Sequence, residues 1–170
     1  MSGIGIIMES FDSKQDMMEY ITEQLLYGCR VYYDIDSLKC LEVLEDMALD
    51  YLKFMDMDDA EFDKAAKEYH FNDMLDLVKE LRNVCFAYEC IKQPDSNTRF
   101  QWMEGFIDNH RHLIPFTQKA VYALSRRRPF RNFKDTVYDY RLEEEWLSYE
   151  RERMQDYVYD ELDCRFGFEG

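Results

Sequence analysis

Arg126, Arg127, Arg128, Arg131 and Lys134 put five positive charges and no negative one into nine residues of an otherwise acidic chain. Guanidinium and ammonium groups at that density recognise carboxylates or phosphates, because each supplies several charge-assisted donors. Their position is electrostatically awkward. Pro129 favours the first position of a helix, where its missing N–H is no loss. A helix N-terminus is itself partially positive, so each nearby Arg disfavours that helix by roughly 0.3–1 kcal/mol. An acid is expected to answer them. Glu143, Glu144 and Glu145 are the internal candidates, just across the short Tyr140–Arg141 connection. An external anion is the other candidate, since helix N-termini bind anions readily.

A second group able to do chemistry is Asp108, His110 and His112. A His-x-His pair with a carboxylate can hold a metal on a strand. At a helix end the two rings diverge, and no third good ligand is apparent. The alternative is two imidazoles near a helix C-terminus, where cationic groups are favourable. Five Cys at 29, 40, 85, 90 and 164 form no CxxC. They read as buried free thiols rather than a disulfide framework or zinc knuckle. There is no Gly-rich phosphate loop, nucleophile elbow or HExxH. DMDDAEFD lacks the central Gly and the final Glu of a calcium loop. No metal or cofactor is expected, and carboxylates abound without one isolated in an apolar setting where its pKa would be forced upward, which makes an enzyme the lesser reading.

These residues need elements to hold them. At 170 residues with 46% hydrophobic and 34% charged content, the chain is expected to form one domain with a real core. Residues 93–97 (QPDSN) form the clearest loop, and a soft boundary there would separate an α+β half from a helical half. A formal charge of −15 argues against general nucleic-acid affinity. No run approaches a membrane span, and the N-terminus lacks a basic lead-in. A cytoplasmic protein is the expectation.

Asp12 or Ser13 can cap a helix to about Tyr27 that buries Met17, Met18, Ile21, Leu25 and Leu26, with Gly28 ending it. Cys29–Ile35 reads as a strand. Residues 40–45 permit either a returning strand or the start of a helix, because Leu41, Leu44, Met47, Ala48, Tyr51, Leu52 and Met55 recur at helical spacing. After a break at 55–60, Asp58 or Asp59 caps a helix to about His70, and Asn72 caps the next. Residues 84–92 (VCFAYECIK) could continue the preceding helix or form a strand, and their alternation favours a strand beside the hairpin. Ser96 or Asn97 then caps a helix burying Phe100, Met103, Phe106 and Ile107, with Trp102 off that face. Pro115 and Thr117 start a helix that buries Val121, Tyr122 and Leu124. The helix from Pro129 places Phe130, Phe133, Val137 and Tyr140 on one face. The last helix begins near Leu142 with Leu147, Met154, Val158 and Leu162 as its stripe, and 164–170 fray.

RRRPFRNFKDTVYDY followed by EEEWLSYERE resembles the C-terminal block of an uncharacterised bacterial protein family, UPF0158. That block has a basic lead-in, a Phe-Arg-x-Phe-Lys-like helix, then a Trp and a further aromatic. The matching positions are Pro129, Phe130, Arg131, Phe133, Lys134, Asp135, Trp146 and Tyr149. Weaker matches are Arg99–Ile107 and the Tyr-Tyr-Asp pattern at Tyr32–Ser37. Where many relatives carry Gly-rich turns, this chain has Arg126–Arg128 and Ser37–Lys39. The resemblance implies a hairpin and then a helix over 29–55. It implies no catalytic residues and no established activity.

The expected fold is therefore α+β: a small antiparallel sheet of about three strands packed by a mainly helical C-terminal half, with Phe130, Phe133 and Trp146 joining the last helices. The expected function is a non-catalytic binding or regulatory module. Its surface would be Arg126, Arg127, Arg128, Arg131 and Lys134, engaging an acidic protein partner or an anion. RNA binding through the same patch, with exposed Tyr stacking on bases, and a metal-dependent enzyme using Asp108, His110 or His112 are the alternatives.

Overall fold

Ser13 opens the first long helix by accepting a hydrogen bond from the Asp16 amide at 3.1 Å. That helix, α1, runs Lys14–Leu26 and buries Met17, Ile21 and Leu25, with Thr22 beside them. Gly28 ends it at φ 87°, a left-handed conformation that costs glycine nothing. The computed structural model describes residues 8–46, 54, 57–68 and 75–166. It divides the chain into two units, Met1–Gln93 and Pro94–Gly170.

In the first unit a four-stranded antiparallel sheet forms from β1 (Glu9–Ser10), β2 (Cys29–Asp34), β3 (Lys39–Leu44) and β4 (Glu89–Ile91). The strand order is β1-β3-β2-β4. β2 and β3 make the hairpin, in register from Cys29↔Leu44 to Asp34↔Lys39. Leu38 takes positive φ (53°) in its turn. The central β2 is buried from Cys29 to Tyr33, and α1 lies against β2 and β3. Tyr32 and Leu41 sit opposite one another and pack with Leu81. Arg30, also on β2 and buried, is held by two hydrogen bonds to the Glu45 carboxylate at 2.7 and 3.0 Å. Two further helices are α2 (Asp59–Glu68) and α3 (Leu75–Ala87).

Three expectations change here. β1 was not anticipated, because two residues carry no periodic signal. The predicted strand over 84–92 shrinks to Glu89–Ile91, since α3 continues through Ala87. Leu81, Val84 and Tyr88 recur at spacings of three and four and all pack on the Tyr32–Leu41 cluster. One helical face therefore buries what an alternating strand would have divided between two. In α1, Met18 and Leu26 are only half-buried. Of the expected helix over 46–55 only Asp46 and Phe54 are described, both helical, and the Asn72 cap falls outside the described residues.

The second unit consists of four helices: α4 (Ser96–Asn109), α5 (Ile114–Leu124), α6 (Pro129–Asp139) and α7 (Glu143–Phe166). Asp95, not Ser96 or Asn97, caps α4 by accepting from the Thr98 amide at 2.7 Å. These four helices enclose an aromatic core. Phe106 lies at its centre, its ring edge-on to Phe116 (6.0 Å), Phe133 (6.1 Å) and Trp146 (5.4 Å). Trp102 and Phe130 pack against this core half-buried. On α7 the buried residues are Trp146, Met154, Val158 and Leu162, whereas the predicted Leu147 is 60% exposed. The helix reaches Phe166, so the expected fraying at 164 does not begin there. No described helix is long and apolar enough to cross a membrane.

Candidate functional site

The four residues between α5 and α6 decide where the cations go. Ser125 ends α5, its hydroxyl donating to the Tyr122 carbonyl at 2.7 Å. Arg128 adopts the left-handed conformation (φ 57°, ψ 55°) and gives α6 no side-chain cap. Pro129 follows as the first helical residue. The Asn132 side chain donates through Nδ2 to the Arg127 carbonyl at 2.8 Å, tying the turn to the first turn of α6. The Thr136 hydroxyl spends its hydrogen bond within the helix, on the Asn132 carbonyl. The result is a tight helical hairpin in which Arg126 and Arg127 lie at the mouth of the groove between the two helices.

That groove has a volume of about 570 Å³. Lys119, Tyr122, Arg126 and Arg127 line one side, and Asn132, Asp135 and Thr136 the other, with Ala123 below. Three cations thus face a single carboxylate. Arg126 is seated on Tyr122, its guanidinium 5.0 Å from the ring centre and hydrogen-bonded to the phenol oxygen. Lys119 extends over the Tyr140 ring at 5.9 Å. None of the three has an ion-pair partner among the described residues.

The five cations singled out in the sequence do not converge. Arg126 and Arg127 share the groove. Lys134 lies apart, lining a small cleft of about 80 Å³ with Arg99, Trp102, Phe130, Trp146 and Glu150. Arg128 and Arg131 are exposed and line neither. Glu143–Glu145 do not answer any of the five: no ion pair joins them. Lys119 is the member that reasoning from sequence missed. Its signal was present, since Lys119, Tyr122 and Arg126 follow at spacings of three and four on one side of a helix. It was hidden by assigning Tyr122 and Val121 to the core. In fact Phe116, Ala120 and Ala123 are the buried residues of α5, while Val121 is 56% and Tyr122 59% exposed.

The Asp108–His110–His112 group is arranged differently. Asp108 accepts two hydrogen bonds from Arg111, at 2.7 and 3.0 Å. His110 engages the Phe106 carbonyl through Nδ1 at 2.8 Å and packs on the Phe106 ring. The His112 ring stacks beside it at 6.1 Å. No group of three or more His, Cys, Asp or Glu side chains converges as a metal site among the described residues.

Charge is also uneven along the chain. Residues 1–93 carry 9 Lys and Arg against 21 Asp and Glu, and residues 94–170 carry 12 against 15. The large negative excess belongs to the first unit, and the groove lies in a nearly balanced one.

Comparison with known proteins gives one family: the model of Uncharacterised protein family (UPF0158) matches residues 51–168. No curated protein matches, and no solved structure matches.

Proposed function

The chain belongs to UPF0158, and since that membership carries no activity with it, we propose from geometry that the protein is a non-catalytic binding module whose α5–α6 groove receives an anionic group, a carboxylate or phosphate of a partner. The supporting observation is that Lys119, Arg126 and Arg127 face one groove with only Asp135 to oppose them. Charges placed so are not needed to hold the hairpin together, because Asn132 and Pro129 already do so. Arg126 is preorganised by its contact with Tyr122, which lowers the ordering cost of binding.

Arg128, Arg131 and Lys134 belong to the same reading in a lesser role, as exposed charges that draw an anion toward the hairpin rather than touch it. A cytoplasmic, bacterial setting fits the free thiols of Cys29, Cys40 and Cys164.

The test is titration of the full chain with a short polyglutamate peptide and with inorganic pyrophosphate, followed by calorimetry. Lys119→Gln/Arg126→Gln/Arg127→Gln should weaken binding at least tenfold without a change in helical content. Equal affinity of the variant and the parent would refute the reading. RNA is the rival polyanion, favoured by the exposed Tyr122 ring in the groove. Retention of single-stranded RNA on a filter that falls steeply with salt would favour it.

A further inference from the structure

The outer face of α5 carries a second feature that an anion alone does not use. Ile114 and Val121 stand seven residues apart, on one line of the helix, and are 61% and 56% exposed. Tyr122 is 59% exposed and lines the groove beside Arg126. Ile114 and Val121 therefore mark one edge of the exposed face of α5, with Val121 lining a groove beside Ile107 and Leu124, while Lys119, Tyr122 and, just past the helix end, Arg126 mark the other edge and line the α5–α6 groove. Scattered apolar residues are ordinary on a surface. Three large ones spread across the exposed face of an eleven-residue helix, with unpaired cations along one edge, can be covered by a single occupant.

Resting on the anion-binding reading above, we propose that the occupant of this surface is an acidic protein segment carrying large apolar side chains. Its carboxylates would meet Lys119, Arg126 and Arg127, and its apolar residues would cover Ile114, Val121 and the Tyr122 ring. Charge complementarity selects an acid. The stripe selects a peptide over a nucleic acid, because bases bind by stacking on aromatic faces and Ile114 and Val121 offer none, whereas aliphatic side chains can cover them. The open groove suits an extended or helical segment laid along α5. Aromatic and aliphatic anchors beside a charged rim are the usual anatomy of such contacts.

The experiment uses the full chain and three fluorescent probes of equal charge: a Glu/Ser peptide, a Glu/Leu/Phe peptide and an oligouridylate. Anisotropy is expected to show the Glu/Leu/Phe peptide binding at least tenfold more tightly than the Glu/Ser peptide. Ile114→Ser/Val121→Ser should remove that advantage and leave Glu/Ser binding unchanged. Arg126→Gln/Arg127→Gln should weaken both peptides. If the parent binds both peptides equally, or the serine variant keeps the preference, the apolar half of the proposal is overturned while the anion reading stands. If neither peptide binds, or the oligouridylate binds more tightly than both, the proposal is overturned, and the reading beneath it falls as well if pyrophosphate also fails to bind.

Discussion

Replacing Arg126, Arg127, Arg128 and Arg131 by glutamine removes four positive charges with little change of side-chain length or helix propensity. If these cations held the hairpin together, the substitution would be costly. The structure predicts otherwise. All four are exposed and none is in an ion pair among the described residues. Arg128 is the N-cap of α6, and Arg131 lies in its first turn. Removing a cation at each relieves about 0.3–1 kcal/mol of repulsion with the helix dipole. Against that stands the Arg126 contact with the Tyr122 ring, about 0.5–1 kcal/mol at an exposed site. The balance lies between roughly zero and about 1.5 kcal/mol of stabilisation. For a chain of this size that corresponds to a Tm unchanged or raised by up to about 6 °C. Thermal melts followed by circular dichroism at low and high salt would measure it. Any gain should shrink in 1 M salt, where the screening length falls to about 3 Å. A fall of more than about 4 °C would show that the arginines support the fold.

Other parts of the structure make equally definite claims. Phe106→Ala empties the centre of the aromatic core and should cost about 3–5 kcal/mol, lowering Tm by roughly 6–20 °C; a loss under about 1 kcal/mol would mean the core is not built around that ring. Gly105→Ala should gain about 1 kcal/mol from helix propensity, but its methyl would collide with the Tyr149 hydroxyl, and the Tyr149 ring is held by Phe106 at 5.6 Å. Melting temperatures should therefore show the substitution destabilising in the parent and stabilising in a Tyr149→Phe background; the same sign in both would remove the clash as its cause. Burial, then the nearby Glu42 charge, pushes the Cys40 thiol up to about 12. The unfolded thiol ionises near its ordinary value while the folded one stays neutral, so this contribution is complete below about pH 9 and is lost as pH rises toward 12. Cys40→Ala should flatten the fall in denaturation midpoint over that window, and an unaltered slope would contradict the assignment.

How much of this was legible beforehand differed between elements. Patterns with one dominant period were read correctly. Ser13 and Gly28 bracket α1, β2 lies within its expected residues, and the helix from Pro129 buries Phe133 and Val137 as its spacing demanded, whereas β3 falls where periodicity left strand and helix open and only the family resemblance pointed to a hairpin. Segments compatible with two periods were not. VCFAYECIK alternates like a strand, yet Val84 and Tyr88 also continue the face begun by Leu81, and tertiary packing chose the helix. α5 shows the same difficulty with larger consequences for the site. Beyond Phe116 its core face is made of two Ala, Ala120 and Ala123, weaker hydrophobes than the Val121 and Tyr122 that it leaves outside. Ranking residues by hydrophobicity put the wrong face inward and hid Lys119 from the cation cluster. Leu147 misled in the same way, because Trp146 beside it took the buried position. The positive charge itself was visible in the sequence. Its division, with two arginines in a groove, Lys134 in a separate cleft and two arginines in water, depended on the four-residue turn and the left-handed Arg128.

Hydrogen exchange of the full chain, with and without a saturating acidic peptide, tests most directly where an anionic partner is received. Slower exchange confined to residues 114–136, and abolished by Arg126→Gln/Arg127→Gln, is the predicted result. Protection that falls elsewhere in the chain, or that survives those two substitutions, would contradict the assignment of the α5–α6 groove.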